Sequence, residues 1–222
     1  MSGYRAVFFD FDYTLGDATD CIVLGFETAF AQMGLPRPGR EAVRETIGMT
    51  LENAFTHLTG EADPARQALF RRLYVAVANP IQVEGTRLFP GAVELLKWLR
   101  ARGILAAIVS TKRRAVIEAV LARQGIADLV AFCVGGGDVA HYKPSPDAAL
   151  LALERAGCAP SEALFAGDTV IDAETARRAG MDFAAVLNGT TPAEAFAPWP
   201  TVCIAPNLDA LGAFLAGRHP FT

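Results

Sequence analysis

The sequence predicts an α/β fold: a Rossmann-like parallel sheet core with helices on both faces, interrupted near its start by an inserted, roughly four-helix cap domain. Three features carry that prediction. From about Leu88 onward, short β-prone runs alternate with helical stretches that close in glycine, the pattern of successive βαβ units. Ahead of them "AVFFDFD", residues 6–12, reads as a strand ending in carboxylates. Between the two, from about Ala18 to Val83, only helical patterns occur. The expected division is therefore 1–17 with 84–222 for the sheet domain and 18–83 for the insert.

Within the insert, "CIVLGFETAFAQMG", "GREAVRETIG", "LENAFTHLTG" and "DPARQALFRRLYVAVANP" each read as a helix, the last stopping at Pro80. After it, "LFPGAVELLKWLRARG" places Val93, Leu96 and Leu99 on one helical face and ends in Gly103 as a left-handed cap. Strand "ILAAIVST" follows, then a helix from Arg113 to Arg123, strand "VAFCV", and a helix from Pro146 to Ala156 with Ser145 as N-cap. Strand "ALFAG", a helix through "AETARRAG" and strand "FAAVL" come next. Thr191-Pro192-Ala193-Glu194 offers a capping box, and "TVCIA" with "LDALGAFLA" predicts a last strand and helix.

Composition narrows the function classes. The chain of 222 residues is 52% hydrophobic and 20% charged, with a formal net charge of −4. It has no Lys/Arg block, which argues against a nucleic-acid or anionic-membrane partner and for a small molecule. No apolar run reaches the length of a membrane span and the N-terminus lacks a signal-peptide layout, so a cytoplasmic location is expected. Cys21, Cys133, Cys158 and Cys203 are widely spaced and read as reduced thiols. His57, His141 and His219 are isolated and carry no assigned chemistry, although His141 is near Lys143 in sequence.

The chemistry concentrates in carboxylates. Strand alternation puts Phe9 and Phe11 on one side and Asp10 and Asp12 together on the other. A second acidic pair, Asp168 and Asp172, also follows an apolar strand. In open parallel sheets, ligands sit beyond the carboxyl ends of the strands, so the four acids are expected to crowd one edge. Two unit charges about 4 Å apart repel by on the order of 4 kcal/mol at an effective dielectric near 20, so such a cluster has to hold protons or a cation. Oxygen-only ligands suit a hard ion such as Mg²⁺. Hydroxyls Ser110 and Thr111, at another strand end before a helix start, suit an anion, and Lys143 supplies a balancing cation.

In that order, "DFDYTLGD", "IVST", Lys143-Pro144 and "GDTVIDAETA" resemble the four motifs of the haloacid dehalogenase superfamily. "IGMTLENAF" and "FPGAVELL" are similar to its phosphoglycolate phosphatase-like branch with a small α-helical cap. The resemblance implies a Mg²⁺-dependent phosphatase acting on a small phosphomonoester, 2-phosphoglycolate or similar. Asp10 would be the nucleophile that forms an aspartyl-phosphate, and Asp12 the acid and then the base. Ser110, Thr111 and Lys143 would hold the phosphate. Mg²⁺ would be held by Asp10, the Asp12 carbonyl, Asp168 and, directly or through water, Asp172. An Asp at position 12 also fits phosphatases and phosphomutases rather than dehalogenases.

Two departures stand out: Tyr13 where the family pattern has glycine, and Ser110-Thr111 in place of Thr-Asn. Tyr13, Met49 and Thr50 are the expected specificity residues, with hinges expected near Leu15–Ala18 and Glu84–Leu88. Two other readings stay open on the sequence: a sugar phosphomutase on the same scaffold, and a non-hydrolytic phospho-accepting module. Monomer and homodimer are equally compatible with it.

Overall fold

The computed structural model describes residues 3–219; the ends of the expected sheet domain, residues 1–2 and 220–222, lie outside the described residues. In chain order the strands are β1 (Ala6–Phe9), β2 (Gly16–Asp17), β3 (Arg87–Leu88), β4 (Leu105–Arg113), β5 (Phe132–Gly136), β6 (Ala163–Gly167), β7 (Asp182–Val186) and β8 (Thr201–Ala205). The α-helices are α1 (Thr19–Gln32), α2 (Arg40–Arg44), α3 (Leu51–Thr59), α4 (Pro64–Gly85), α5 (Ala92–Ala101), α6 (Arg114–Arg123), α7 (Asp147–Ala156), α8 (Val170–Ala179) and α9 (Leu208–Arg218). The chain divides into two compact units, one up to Asp17 and from Leu88 on, the other Ala18–Arg87.

The first unit is built on a six-stranded sheet of order β5-β4-β1-β6-β7-β8, in which the paired strands run parallel. A separate two-stranded sheet joins β2 and β3. The period-2 alternation of β1 sorts the main sheet's two faces. Val7 and Phe9 pack with the apolar stripes of α5, α6 and α9, whereas Ala6 and Phe8 pack with the alanine-rich faces of α7 and α8. Both strand faces are buried, which is why these strands read as continuous apolar runs.

Element boundaries depart from the sequence reading at several places. Helix α7 begins at Asp147 with Pro146 in the cap position, so Ser145 lies one residue outside it; its Oγ instead donates to Asp147 Oδ1 at 2.6 Å. The expected capping box at Thr191–Glu194 is a short 3-10 turn, Ala193–Phe196, capped by Pro192 without a side-chain bond. The strand expected to stop at Thr111 continues to Arg113, and its pairing with β5 shifts register between Val109 and Arg113.

The second unit is a helical cluster around aromatic rings. Phe70 is fully buried, with ring centroids of Phe26, Phe55, Phe30 and Tyr74 at 5.1, 5.2, 5.6 and 5.9 Å. Gly25 lets α1 and α4 approach closely, since a Cβ there would lie 2.8 Å from both Ala78 Cβ and Tyr74 Cε2. Helix α4 does not stop at Pro80 but runs to Gly85. The ring removes one backbone donor, yet the turn beyond it is anchored by buried Gln82, which donates to Tyr74 Oη at 3.3 Å, and by Cys21 Sγ on the Ile81 carbonyl at 3.3 Å. The unit therefore ends at Arg87, four residues past the expected boundary. Helix α2 is only five residues long, so "GREAVRETIG" is half helix and half turn.

Candidate active site

Sheet order explains how distant residues meet. Strands β4, β1 and β6 are neighbours, with Phe9 opposite Ile108 on one side and Ala166 on the other. The carboxyl ends of these strands therefore deliver Ser110, Asp10 and Asp168 to adjacent positions. The Asp10 N–H still donates to the Ala166 carbonyl at 2.9 Å, so Asp10 is held by the sheet itself. Asp172 sits in the first turn of α8 and Lys143 precedes α7.

Asp10, Asp168 and Asp172 are buried, and their carboxylate oxygens lie within 4.8 Å of one another. At that separation two full charges repel by about 3 kcal/mol at an effective dielectric near 20. One cation answers them directly. Lys143 Nζ, 2% exposed, is 2.6 Å from Asp172 Oδ1 and 2.9 Å from Asp10 Oδ1. Three carboxylates against one ammonium leave an excess of two negative charges.

The titration behaviour follows from this crowding. Burial pushes the Asp10 carboxyl up to about 6; Lys143 pulls it down, and the Asp172 charge pushes it up again. Asp168 is held well above the usual carboxylate range by burial, then by Asp172 and Asp10. For Lys143, burial works against the charge, but Asp10 and Asp172 outweigh it and keep the ammonium protonated.

Local hydrogen bonds fix each acid. Asp172 Oδ2 accepts from the Thr169 N–H at 3.1 Å and the Thr169 hydroxyl at 2.6 Å, closing a capping box on α8. Gly167 makes room for it, since a Cβ there would lie 2.5 Å from Asp172 Cγ. The buried Thr14 hydroxyl donates to Asp168 Oδ1 at 3.0 Å, and Asn188 Nδ2 donates to the Thr14 carbonyl at 3.1 Å. A Cβ on Gly189 would lie 2.1 Å from Asp168 Oδ2, so only glycine leaves that oxygen its place.

A divalent ion fits this site on the structure's own terms. Asp10 Oδ1 is buried, and the cation beside it, Lys143 Nζ at 2.9 Å, is shared with Asp172. One ammonium shared among buried carboxylates leaves negative charge in excess, which is costly unless a further cation completes the cluster. All donors are oxygens, as Mg²⁺ prefers.

Other expected residues fall differently. Strand β1 stops at Phe9, so the alternation does not carry Asp12 into the acid cluster; Asp12 forms an isolated bridge with Gly16. Its carboxylate oxygens are each 3.0 Å from Lys112 Nζ. Ser110 is buried, and its Oγ accepts from the Lys112 N–H at 3.3 Å; Thr111 follows it in the strand, partly buried. Met49 packs partly buried against the aromatic cluster of the second unit, and Thr50 caps α3 by accepting from the Asn53 N–H at 3.2 Å. His141 pairs with Asp147 at 2.9 Å, and Cys21, Cys133, Cys158 and Cys203 form no disulfide. Among the described residues no helix is long and apolar enough to cross a membrane.

Tyr13 has φ of +60° and is 4% exposed, so its side chain is packed inside. The left-handed backbone suits glycine and costs an L side chain roughly 1–2 kcal/mol. Tyr13→Ala is expected to be less stable than Tyr13→Gly by about 1 kcal/mol, because both lose the ring and only alanine keeps a Cβ in that backbone, while glycine's looser unfolded chain offsets part of the gain. Urea midpoints of the two variants check this; equal midpoints would mean that the turn relaxes.

Sequence reasoning missed Lys112, Thr14, Asn188 and Gly189. Lys112 had a readable signal, two residues after Ser110 on a strand. The other three act through a hydroxyl in a turn and a loop after β7, with no periodicity to mark them.

Known proteins resemble this chain over most of its length. Residues 7–186 match the family model for haloacid dehalogenase-like hydrolases. The chain is 30% identical over 212 residues to a phosphoglycolate phosphatase of Escherichia coli, covering 86% of this chain and 84% of that one. It is 31% identical over 195 residues to phosphoglycolate phosphatase 1 of Pseudomonas aeruginosa, covering 83% and 70%. Among solved structures, a Bacteroides fragilis protein named as a haloacid dehalogenase-like hydrolase superposes with a TM-score of 0.91 at 37% identity, over 94% of this chain and 99% of that one.

Proposed function

This chain belongs to the haloacid dehalogenase-like hydrolases and is a phosphatase of that family, and we propose that it hydrolyses a small phosphomonoester, 2-phosphoglycolate or a similar acid, through an aspartyl-phosphate on Asp10. The observation that carries the reading is the trio of buried carboxylates around Lys143, with Asp10 held at the strand end by the sheet. The relatives named phosphoglycolate phosphatase support the substrate class.

Asp10 attacks phosphorus, and the bond from phosphorus to the leaving oxygen breaks as the new one forms. Asp12 gives its proton to that leaving oxygen. It then takes a proton from the water that attacks the aspartyl-phosphate, which releases inorganic phosphate and restores Asp10. Ser110, Thr111 and Lys143 hold the transferred oxygens, supplying the positioning and charge on which phosphoryl transfer depends. Asp10, the Asp12 carbonyl and Asp168, with Asp172 beside them, would hold Mg²⁺, which when bound neutralises charge on the phosphoryl oxygens. Tyr13, Met49 and Thr50 are the proposed specificity residues, and Ala18–Arg87 the proposed cap.

The test is Mg²⁺-dependent phosphate release from a panel of 2-phosphoglycolate, sugar phosphates, nucleotides and pyrophosphate, with Asp10→Asn as the blank. Release that is selective for small carboxylated phosphates and abolished by EDTA is expected. Phosphate returned to a sugar product without net release would replace this reading with a phosphomutase, and no release at all would remove the hydrolase assignment from this site.

A further inference from the structure

We propose that Lys112 is a positioning residue for Asp12, fixing the carboxylate that handles the leaving-group proton and so setting how well phosphates with poor leaving groups are hydrolysed. The inference rests on the role proposed for Asp12 and adds a residue outside the strand-end motifs that suggested it.

The contact is a symmetric fork: one ammonium 3.0 Å from each oxygen of the Asp12 carboxylate. Such a grip removes the freedom of a short side chain to rotate. The two side chains are 7% and 14% exposed, so salt and water weaken the pair less than they would a surface bridge. Lys112 Nζ also lies 5.8 Å from the Phe11 ring centroid, which places the ammonium beside the residue that precedes Asp12.

The backbone shows how Lys112 comes to point there. The pairing of β4 with β5 is irregular between Val109 and Arg113, and the irregularity is housed by two glycines. A Cβ on Gly135 would lie 2.5 Å from Arg114 N and 2.7 Å from the Lys112 carbonyl oxygen, and one on Gly136 2.6 Å from the Thr111 carbonyl oxygen. These neighbours are backbone atoms and cannot swing aside. Strand irregularities re-aim side chains, and this one aims Lys112 at Asp12 while its N–H reaches Ser110 Oγ at 3.3 Å. One short segment thus serves both the proposed phosphate hydroxyl and the acid–base carboxylate.

Positioning makes a specific kinetic prediction. Aryl phosphates leave with little help from a proton, whereas alkyl phosphates depend on it. In Lys112→Met, the single-turnover rate of leaving-group release is expected to fall about 10- to 100-fold for an alkyl phosphate and by no more than about threefold for p-nitrophenyl phosphate, while the later hydrolysis of the aspartyl-phosphate, which both substrates share, slows alike for both. Lys112→Arg should restore most of the alkyl activity, and Gly135→Ala should reproduce the selective loss. Equal falls in that release rate for both substrates, a raised KM with release unchanged, or unaltered kinetics would each overturn the proposal. Crystal structures of the parent and Lys112→Met add a readout independent of turnover: one Asp12 rotamer in the parent and several in the variant are expected, and one shared rotamer would overturn the proposal. A parent that releases no phosphate but shows that rotamer difference would sink the phosphatase reading and leave the positioning role standing.

Discussion

The Asp10→Asn protein is expected to lose at least about 10⁴-fold in turnover on every substrate while becoming no less stable than its parent. An amide nitrogen cannot replace the attacking oxygen, and the amide is a poor nucleophile. Stability moves the other way because the ionised carboxylate sits in a costly place. Burial, opposed by Lys143 and reinforced by Asp172, raises the Asp10 carboxyl from its ordinary value of 3.8 to about 6. At pH 7 the folded protein therefore carries the cost of ionising it, and a neutral isostere removes that cost. In metal-free buffer the variant is expected to gain about 1–3 kcal/mol. Added Mg²⁺ should reverse the order, raising the melting temperature of the parent much more than that of the variant, which lacks the carboxylate charge. Residual turnover above about 1% would remove Asp10 as nucleophile. A loss of several kcal/mol in the variant would instead make its carboxylate a structural group.

The same physics decides what was readable in the sequence. Acids and hydroxyls placed directly after apolar runs were legible because a parallel sheet puts successive strand ends on one edge; Asp10, Ser110 and Asp168 follow from strand order alone. Asp172 and Lys143 were legible as a helix-start acid and a loop cation, although their 2.6 Å contact was not. For Asp12 the alternation was extended past Phe9, where the strand has already ended, and its carboxylate is not one of the three that cluster. Lys112 went unseen although it follows Ser110 by two residues on one strand, because the aim of its side chain depends on an irregular pairing that Gly135 and Gly136 permit. Helix α4 runs past Pro80, where local propensity favours an end, because packing of Gln82 and Cys21 carries it to Gly85.

Lys143→Met tests the charge balance from its other side and is expected to cost 3–5 kcal/mol at neutral pH along with a roughly 10²–10³-fold loss of turnover. Methionine nearly preserves the volume, so the deficit reports charge rather than packing. Its pH dependence follows from the carboxylates it abandons. In the metal-free parent the folded Asp10 carboxyl titrates near 6 against 3.8 in the unfolded chain, so the folded state binds more protons in that window, and this group's contribution to stability falls as pH rises through it. Removing Lys143 takes away the cation that pulls Asp10 down and one that pulls Asp168 down, so the window widens upward. The stability gap between variant and parent should thus be small near pH 5, where protons stand in for the lysine, and grow toward pH 8. Mg²⁺ at pH 7.5 should narrow it, because a divalent ion gains most where the negative charge is least compensated. Urea midpoints at three pH values, with and without Mg²⁺, measure all of this. A gap that stays constant with pH would assign the loss to packing around Lys143 and remove the charge-balance account of the site.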